Sequence, residues 1–264
     1  MKKQLSKSTV KIKSSNSLHL NSIKEDHFEI YQNDCLKVMK MMVKNGVKIP
    51  LIIMDPPYEF KNTQTGGKSE LNKSFQKSQT EIQQKNLTEG IDYETILPLL
   101  TQLQDKTNIY IWCNKEQIPK YIEYYVSKQG CSFDIIKWVK TNPIPTYNNK
   151  YMSDTEYCLY FRKGGFCNPQ SYKDGSTLFT HPINKKDKNL YSHPTIKPIE
   201  IIDRLVRNSS KEGDLIFDPF MGSGTTGVST IKHNRKFIGC EIDKEYFNTS
   251  LQRIQNTLDP LLAA

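Results

Sequence analysis

The residues best equipped for chemistry sit in two short clusters far apart in the chain. Asp55-Pro56-Pro57-Tyr58 follows the apolar run Leu51 to Met54, which reads as a buried strand, so the tetrapeptide falls at a strand's carboxyl end, where α/β proteins open their ligand sites. Proline fixes its own φ and restricts the residue before it, so this segment can hold a carboxylate, a carbonyl and an aromatic face in one fixed cluster. Such a cluster suits an exocyclic amine on a nucleobase. That nitrogen is a poor nucleophile while its lone pair is conjugated with the ring. Accepting its hydrogens at the Asp55 carboxylate and the Pro56 carbonyl favours a tetrahedral nitrogen with the lone pair aimed at an electrophile, and Tyr58 could stack on an extruded base.

The second cluster, Gly222-Ser223-Gly224-Thr225-Thr226-Gly227, fits GxGxxG between an expected strand and an expected helix. Backbone amides and a helix amino end there can face a nucleotide-like cofactor. Glu241 follows Gly222 by 19 residues at the end of the next strand, where a carboxylate can accept hydrogen bonds from ribose hydroxyls. By itself this pair fits NAD and S-adenosylmethionine (AdoMet) equally, since both carry an adenosine ribose.

The elements that position these clusters alternate along the chain. Strand patterns at Phe28 to Asn33, Pro50 to Met54, Asn108 to Cys113, Phe133 to Lys140, Glu156 to Arg162, Asp214 to Phe217 and Lys236 to Cys240 interleave with helical spacing at Asp34 to Lys44, Tyr93 to Leu103, Lys115 to Lys128, Pro198 to Asn208, Thr225 to His233 and Lys244 to Gln255. The alternation predicts an α/β fold with a mostly parallel sheet covered by helices on both faces. Residues 1–27 carry six Lys and no periodicity and read as a basic flexible tail. Residues 59–90 and 163–192 read as long irregular segments.

Composition narrows the function classes. With 264 residues, 36% hydrophobic and 25% charged, the chain can build one sizeable core. It has no apolar run near the roughly 20 residues of a membrane span and no secretory leader pattern, so a cytoplasmic protein without membrane contact is expected. Six Cys without CxxC pairs read as reduced core thiols, with no metal site. A formal charge of +9 invites a polyanion such as nucleic acid, although only five of the 37 basic residues are Arg.

Taken together, the two clusters resemble those of the AdoMet-dependent DNA amino-methyltransferases, which methylate adenine N6 or cytosine N4. The likeness spans about residues 28–257, with DPPY first and DPFMGSGTT (Asp218 to Thr226) last, as in the family's β arrangement. Lys137 to Pro145 and Thr155 to Phe161 resemble its base-pocket segments, His193 to Pro198 the segment before the cofactor loop, Phe237 to Glu241 the ribose-binding strand, and Asn33-Asp34 the acidic position at the cofactor adenine. The resemblance implies a Rossmann-like methyltransferase fold with a seven-stranded sheet. It makes Asp55, Pro56, Pro57 and Tyr58 catalytic. Asp34, Asp218, Pro219, Phe220, Gly222, Ser223, Gly224, Thr225, Thr226 and Glu241 become cofactor contacts, with Thr195 and Lys197 approaching the methionine carboxylate.

It further implies a single domain, 28–264, with a catalytic half at 28–162, a target-recognition segment at 163–192 and an AdoMet-binding half at 193–257. That segment is short for the family, so DNA readout is expected to be shared with loop 59–90. The implied reaction is methyl transfer from AdoMet to adenine N6 in DNA, adenine being preferred because the N4-cytosine members more often carry Ser where Asp55 stands. The implied partners are DNA and a cognate restriction endonuclease, with the active form a monomer or homodimer. The rival readings are an N4-cytosine methyltransferase, a NAD-dependent oxidoreductase, which leaves DPPY unexplained, and a catalytically silent DNA-binding relative.

Overall fold

The computed structural model describes residues 20–59, 90–143, 151–184, 191 and 196–258. Its strands are β1 (Ser22–Lys24), β2 (Phe28–Gln32), β3 (Leu51–Met54), β4 (Thr107–Cys113), β5 (Ser132–Lys140), β6 (Thr155–Lys163), β7 (Leu178–His181), β8 (Leu215–Asp218) and β9 (Lys236–Glu241). They form one sheet in the order β1-β2-β9-β8-β3-β4-β6-β5-β7. Strands β2, β9, β8, β3 and β4 are mutually parallel, whereas β6 runs antiparallel to both β4 and β5, and β1 antiparallel to β2. The sheet is therefore mixed and nine-stranded among the described residues, not seven-stranded. The seven expected strands are all present. The two additions are edge strands, β1 from the stretch expected to be tail and β7 from the segment expected to be irregular. Both are short, β1 with one apolar residue and β7 with two adjacent ones, so neither shows the apolar alternation that marks a strand in sequence.

Alternating side chains of the central strands point to opposite faces. In β3, Ile52 and Met54 join the core under α1 (Cys35–Lys44), α2 (Tyr93–Gln102) and α3 (Ile118–Ile122). Leu51 and Ile53 join the core under α4 (Ile199–Ser209). A third apolar cluster joins β2 and β9 to α5 (Thr225–Lys232) and α6 (Lys244–Leu258). Asp34 caps α1 by accepting the Leu36 N–H at 2.8 Å.

The helix expected from Lys115 to Lys128 departs from expectation at both ends. Asn114 and Gln117 bond each other's backbone N–H, at 3.2 and 3.1 Å, making a side-chain-closed turn in place of the first helical turn. Helix α3 starts only at Ile118 and continues as a π-helical stretch, Glu123–Lys128.

The chain leaves β8 toward β9 through α5 but leaves β3 toward β4 on the other side. The strand order thus reverses between β8 and β3, and a crevice opens beyond their carboxyl ends. Asp55 follows β3 and the glycine loop follows β8, so the two sequence clusters flank this reversal.

Candidate active site

A cavity of about 330 Å³ occupies that crevice, within the roughly 300–1,000 Å³ of small-ligand sites. Every expected site position lines it except Pro56, Tyr58 and Gly224, together with Thr195, which lies outside the described residues, as do His193, most of loop 59–90 and Lys185-Lys186.

On the β8–β9 side the backbone supplies the site. Gly222 and Gly224 have φ of +49° and +80°, a left-handed region that costs other residues strain. A Cβ on Gly224 would lie 2.8 Å from that of Ser250, so this glycine lets the loop press on α6 and does not itself face the cavity. Three carboxylates organise the loop ends. Asp218 accepts the Phe220 N–H at 3.0 Å, and burial pushes its pKa up to about 7. Glu241 accepts from Gly222 at 2.9 Å and Asp243 at 2.8 Å, and burial raises it too. A carboxylate has about four acceptor positions, so Glu241 keeps capacity for hydroxyl donors. Asp34 faces the same cavity from the start of α1. Arg253 of α6 donates to the Ser223 carbonyl at 2.7 Å and to the hydroxyls of Ser223 and Thr225 at 3.0 and 3.2 Å, a clamp with no counterpart in the sequence motif.

On the β3–β4 side the site is made of side chains. Asp55 accepts from the Tyr58 hydroxyl at 3.1 Å on one oxygen and pairs with Lys197 at 2.5 Å on the other. Tyr58 therefore orients the carboxylate as well as presenting a ring. Lys197 also lies 3.3 Å from Glu156, whose other oxygen pairs with Lys140 at 2.7 Å. The Lys197 ammonium, expected at a cofactor carboxylate, is thus spent on Asp55 and Glu156. Burial first, and the Glu156 carboxylate to a smaller extent, push the Asp55 carboxyl above the usual range, against the pull of Lys197. Gln117 and Asn114 donate to the carbonyls of Pro57 and Glu59, and none of the described residues takes that of Pro56. The side chains that close the turn before α3 therefore also hold the proline loop.

Sequence reasoning missed Glu156, Trp112, Gln117 and Arg253. Glu156 begins β6 inside a segment marked for the base pocket, so a signal existed. Trp112, fully buried at the end of β4 and lining the cavity, gave none.

The chemistry of the lining fits AdoMet. Asp34, Asp218 and Glu241 line the cavity, a carboxylate setting that suits a ligand carrying a sulfonium and an ammonium, and Glu241 has acceptor capacity a ribose could use. The Trp112 Nε1–H is buried at the cavity without a partner among the described residues.

Comparisons with known proteins identify relatives of the chain. The profile of the N6/N4 methyltransferases, described as DNA methylase, matches residues 49–252. The chain is 28% identical over 246 residues to the type II methyltransferase M2.MboI of Moraxella bovis, covering 87% of this chain and 88% of that protein. It is 31% identical over 223 residues to the type II methyltransferase M2.LlaDCHI of Lactococcus lactis subsp. cremoris, covering 77% and 81%. Among solved structures, the M1.HpyAVI-SAM complex superposes with a TM-score of 0.64 at 28% identity, over 86% of this chain and 98% of that one. The cytosine-N4-specific PvuII DNA methyltransferase reaches the same TM-score, 0.64, at 15% identity over 90% and 93%, a likeness of fold alone.

Proposed function

The chain belongs to the N6/N4 DNA methylase family, whose methyl donor is AdoMet, and on that premise we propose that it methylates the N6 amino group of adenine at a specific DNA sequence. One observation carries the adenine reading: the first residue of the proline motif is an aspartate whose carboxylate is held at the cavity by Tyr58 and Lys197. The cytosine-N4 members more often place Ser there.

Bound in the cavity, AdoMet supplies an electrophilic methyl group. Asp34 and Glu241 serve the adenosine end, and the left-handed glycine loop lets backbone approach it. Asp55 and the Pro56 carbonyl receive the amino hydrogens of a flipped adenine, which localises the nitrogen lone pair toward the methyl donor. The two prolines and the Gln117 and Asn114 bonds fix those acceptors before the base arrives, so little reorganisation accompanies transfer. The proton lost by the methylated nitrogen passes first to Asp55, the nearest base. DNA readout falls to residues 163–192 together with loop 59–90.

Labelled AdoMet and duplex DNA, digested to nucleosides after incubation, test the reading. Label in N6-methyladenine is expected. Label in N4-methylcytosine would replace adenine by cytosine, and no label in DNA would overturn the proposal.

A further inference from the structure

The partly buried charges at the base end form a connected series that extends beyond the proline motif. It runs Lys140–Glu156–Lys197–Asp55–Tyr58, with separations of 2.7, 3.3, 2.5 and 3.1 Å. It joins the end of β5, the start of β6, the segment before α4 and the loop after β3. Lys197 is its centre. Its side chain is 7% exposed and its ammonium lies 5.2 Å from the Trp112 ring centroid and 5.5 Å from that of Tyr58. An ammonium has three protons to donate. It donates to Asp55 at 2.5 Å and to the Tyr58 hydroxyl at 3.4 Å, and Glu156 lies 3.3 Å away as an ion-pair partner without a hydrogen bond.

We propose that Lys197 and Glu156 are positioning residues for methyl transfer: Lys197 keeps Asp55 ionised and turned toward the cavity, and Glu156, by sharing the ammonium, sets how tightly it does so. This rests on the role given to Asp55 under the proposed function. An ionised carboxylate can only accept hydrogen bonds, whereas a protonated one offers a donor to the very amine whose hydrogens must be received. Burial pushes Asp55 toward the protonated form, and Lys197 opposes it. Lys197 is itself pulled down by burial, but Asp55 and Glu156 outweigh this and hold it charged. Glu156 is pushed up by burial and pulled down further by Lys197 and Lys140, so it too stays ionised. The other titratable groups facing Asp55 are Tyr58 on its own loop, Cys113 on β4, Cys158 on β6 and Asp218 on β8. Burial raises all four, so the three thiol and phenol groups are neutral at pH 7, and Lys197 is the cation beside Asp55 among the described residues.

The two variants should move the pH profile in opposite directions. In single-turnover methylation with saturating AdoMet and DNA, Lys197→Gln should shift the acidic limb to higher pH. The rate at pH 7 should fall about tenfold or more, one pKa unit being a tenfold change in ionised fraction. It should recover as pH rises, and Lys197→Arg should restore much of it. Glu156→Gln removes a negative charge and leaves the ammonium to Asp55, so its limb should shift to lower pH. AdoMet affinity, measured by calorimetry without DNA, should change less than about threefold in either, below the roughly tenfold that 1.4 kcal/mol represents. Limbs that stay put in both variants overturn the proposal, as does a Lys197→Gln rate that no pH recovers. So does a large loss of AdoMet affinity with an unmoved limb, which would return Lys197 to the cofactor carboxylate. If Lys197→Gln does not fold, the Glu156→Gln shift decides alone. A parent protein that transfers no methyl to DNA sinks the functional reading, whereas an active parent with unmoved variants sinks only this inference.

Discussion

The two ends of the crevice are built by different means. Around β8 and β9 the strands are parallel, and the surface is organised by a backbone loop: left-handed glycines, amides fixed by the lining carboxylates Asp218 and Glu241, and a clamp from Arg253. Around β3, β4 and β6 the sheet turns antiparallel, and the surface is side chains: Asp55, Tyr58, Lys197 and Glu156 in one ion-paired series. A backbone surface serves a ligand whose shape does not vary. A side-chain surface can be tuned in charge, which the proton-accepting step requires. The difference teaches that substitutions at the first end should be felt in cofactor binding and those at the second in the rate of transfer.

The largest effect, and the sharpest break in this division, is expected at Asp55. Asp55→Ala should lower the single-turnover rate by roughly 10²–10³ or more, the range for losing one preorganised polar group, while calorimetry finds AdoMet binding retained. A variant within tenfold of the parent would remove Asp55 from the mechanism. At the opposite end, Gly222→Val puts a β-branched residue at φ +49°, a strain of about 1–3 kcal/mol. AdoMet affinity should fall about tenfold or more on that scale. Unchanged calorimetric binding would show that the loop does not approach the cofactor. Ligand linkage gives a third check: S-adenosylhomocysteine should raise the Tm and NAD should not.

A subtler probe lies at Asp218, whose pKa burial lifts from 3.8 to about 7. Between those values the folded chain keeps a proton that the unfolded chain has shed, so stability falls as pH rises from about 4 to 7. Asp218→Asn retains an oxygen for the Phe220 N–H but cannot ionise. Denaturant midpoints should therefore show a flatter decline across that window in the variant. An identical decline would mean that the group responsible is another.

Legibility followed sequence distance. The Gly222–Glu241 contact spans 19 residues inside one strand-helix-strand unit, and its glycines and acid are required by local backbone geometry, so the pattern declares itself. The Asp55–Lys197 pair spans 142 residues, and nothing near Lys197 in sequence says which carboxylate it meets. The same holds for Arg253, which meets the glycine loop from one face of an amphipathic helix 30 residues further on. Among the strands, the seven with apolar patterns were legible, whereas β7 buries only Phe179 and reads as loop. Its residence in the sheet comes from pairing with β5, from Lys137 opposite Leu178 to Lys140 opposite His181.

That pairing bears on the smallest effect, at the segment proposed to read DNA. Residues 164–178 are not a free arm: Arg204 of α4 donates to the carbonyls of Lys173 and Ser176 at 2.8 and 3.1 Å, and Asn208 to that of Asp174 at 2.8 Å. The backbone of Lys173 is thus anchored while its side chain is exposed, beside Tyr172 at 99% exposure. An anchored lysine suits a phosphate, which positions DNA without reading it, and removing such a contact weakens all sequences alike. Lys173→Ala should lower DNA affinity only a few-fold and reduce the slope of log affinity against log salt by about one, with the methylated sequence unchanged. Because the anchor is made by its carbonyl, the loss should not spread to β7, and the Tm should stay within about a degree or two, as for other surface substitutions. A changed methylation sequence would make Lys173 a base-edge reader, and an unchanged salt slope would move the DNA off this face of the sheet and toward loop 59–90.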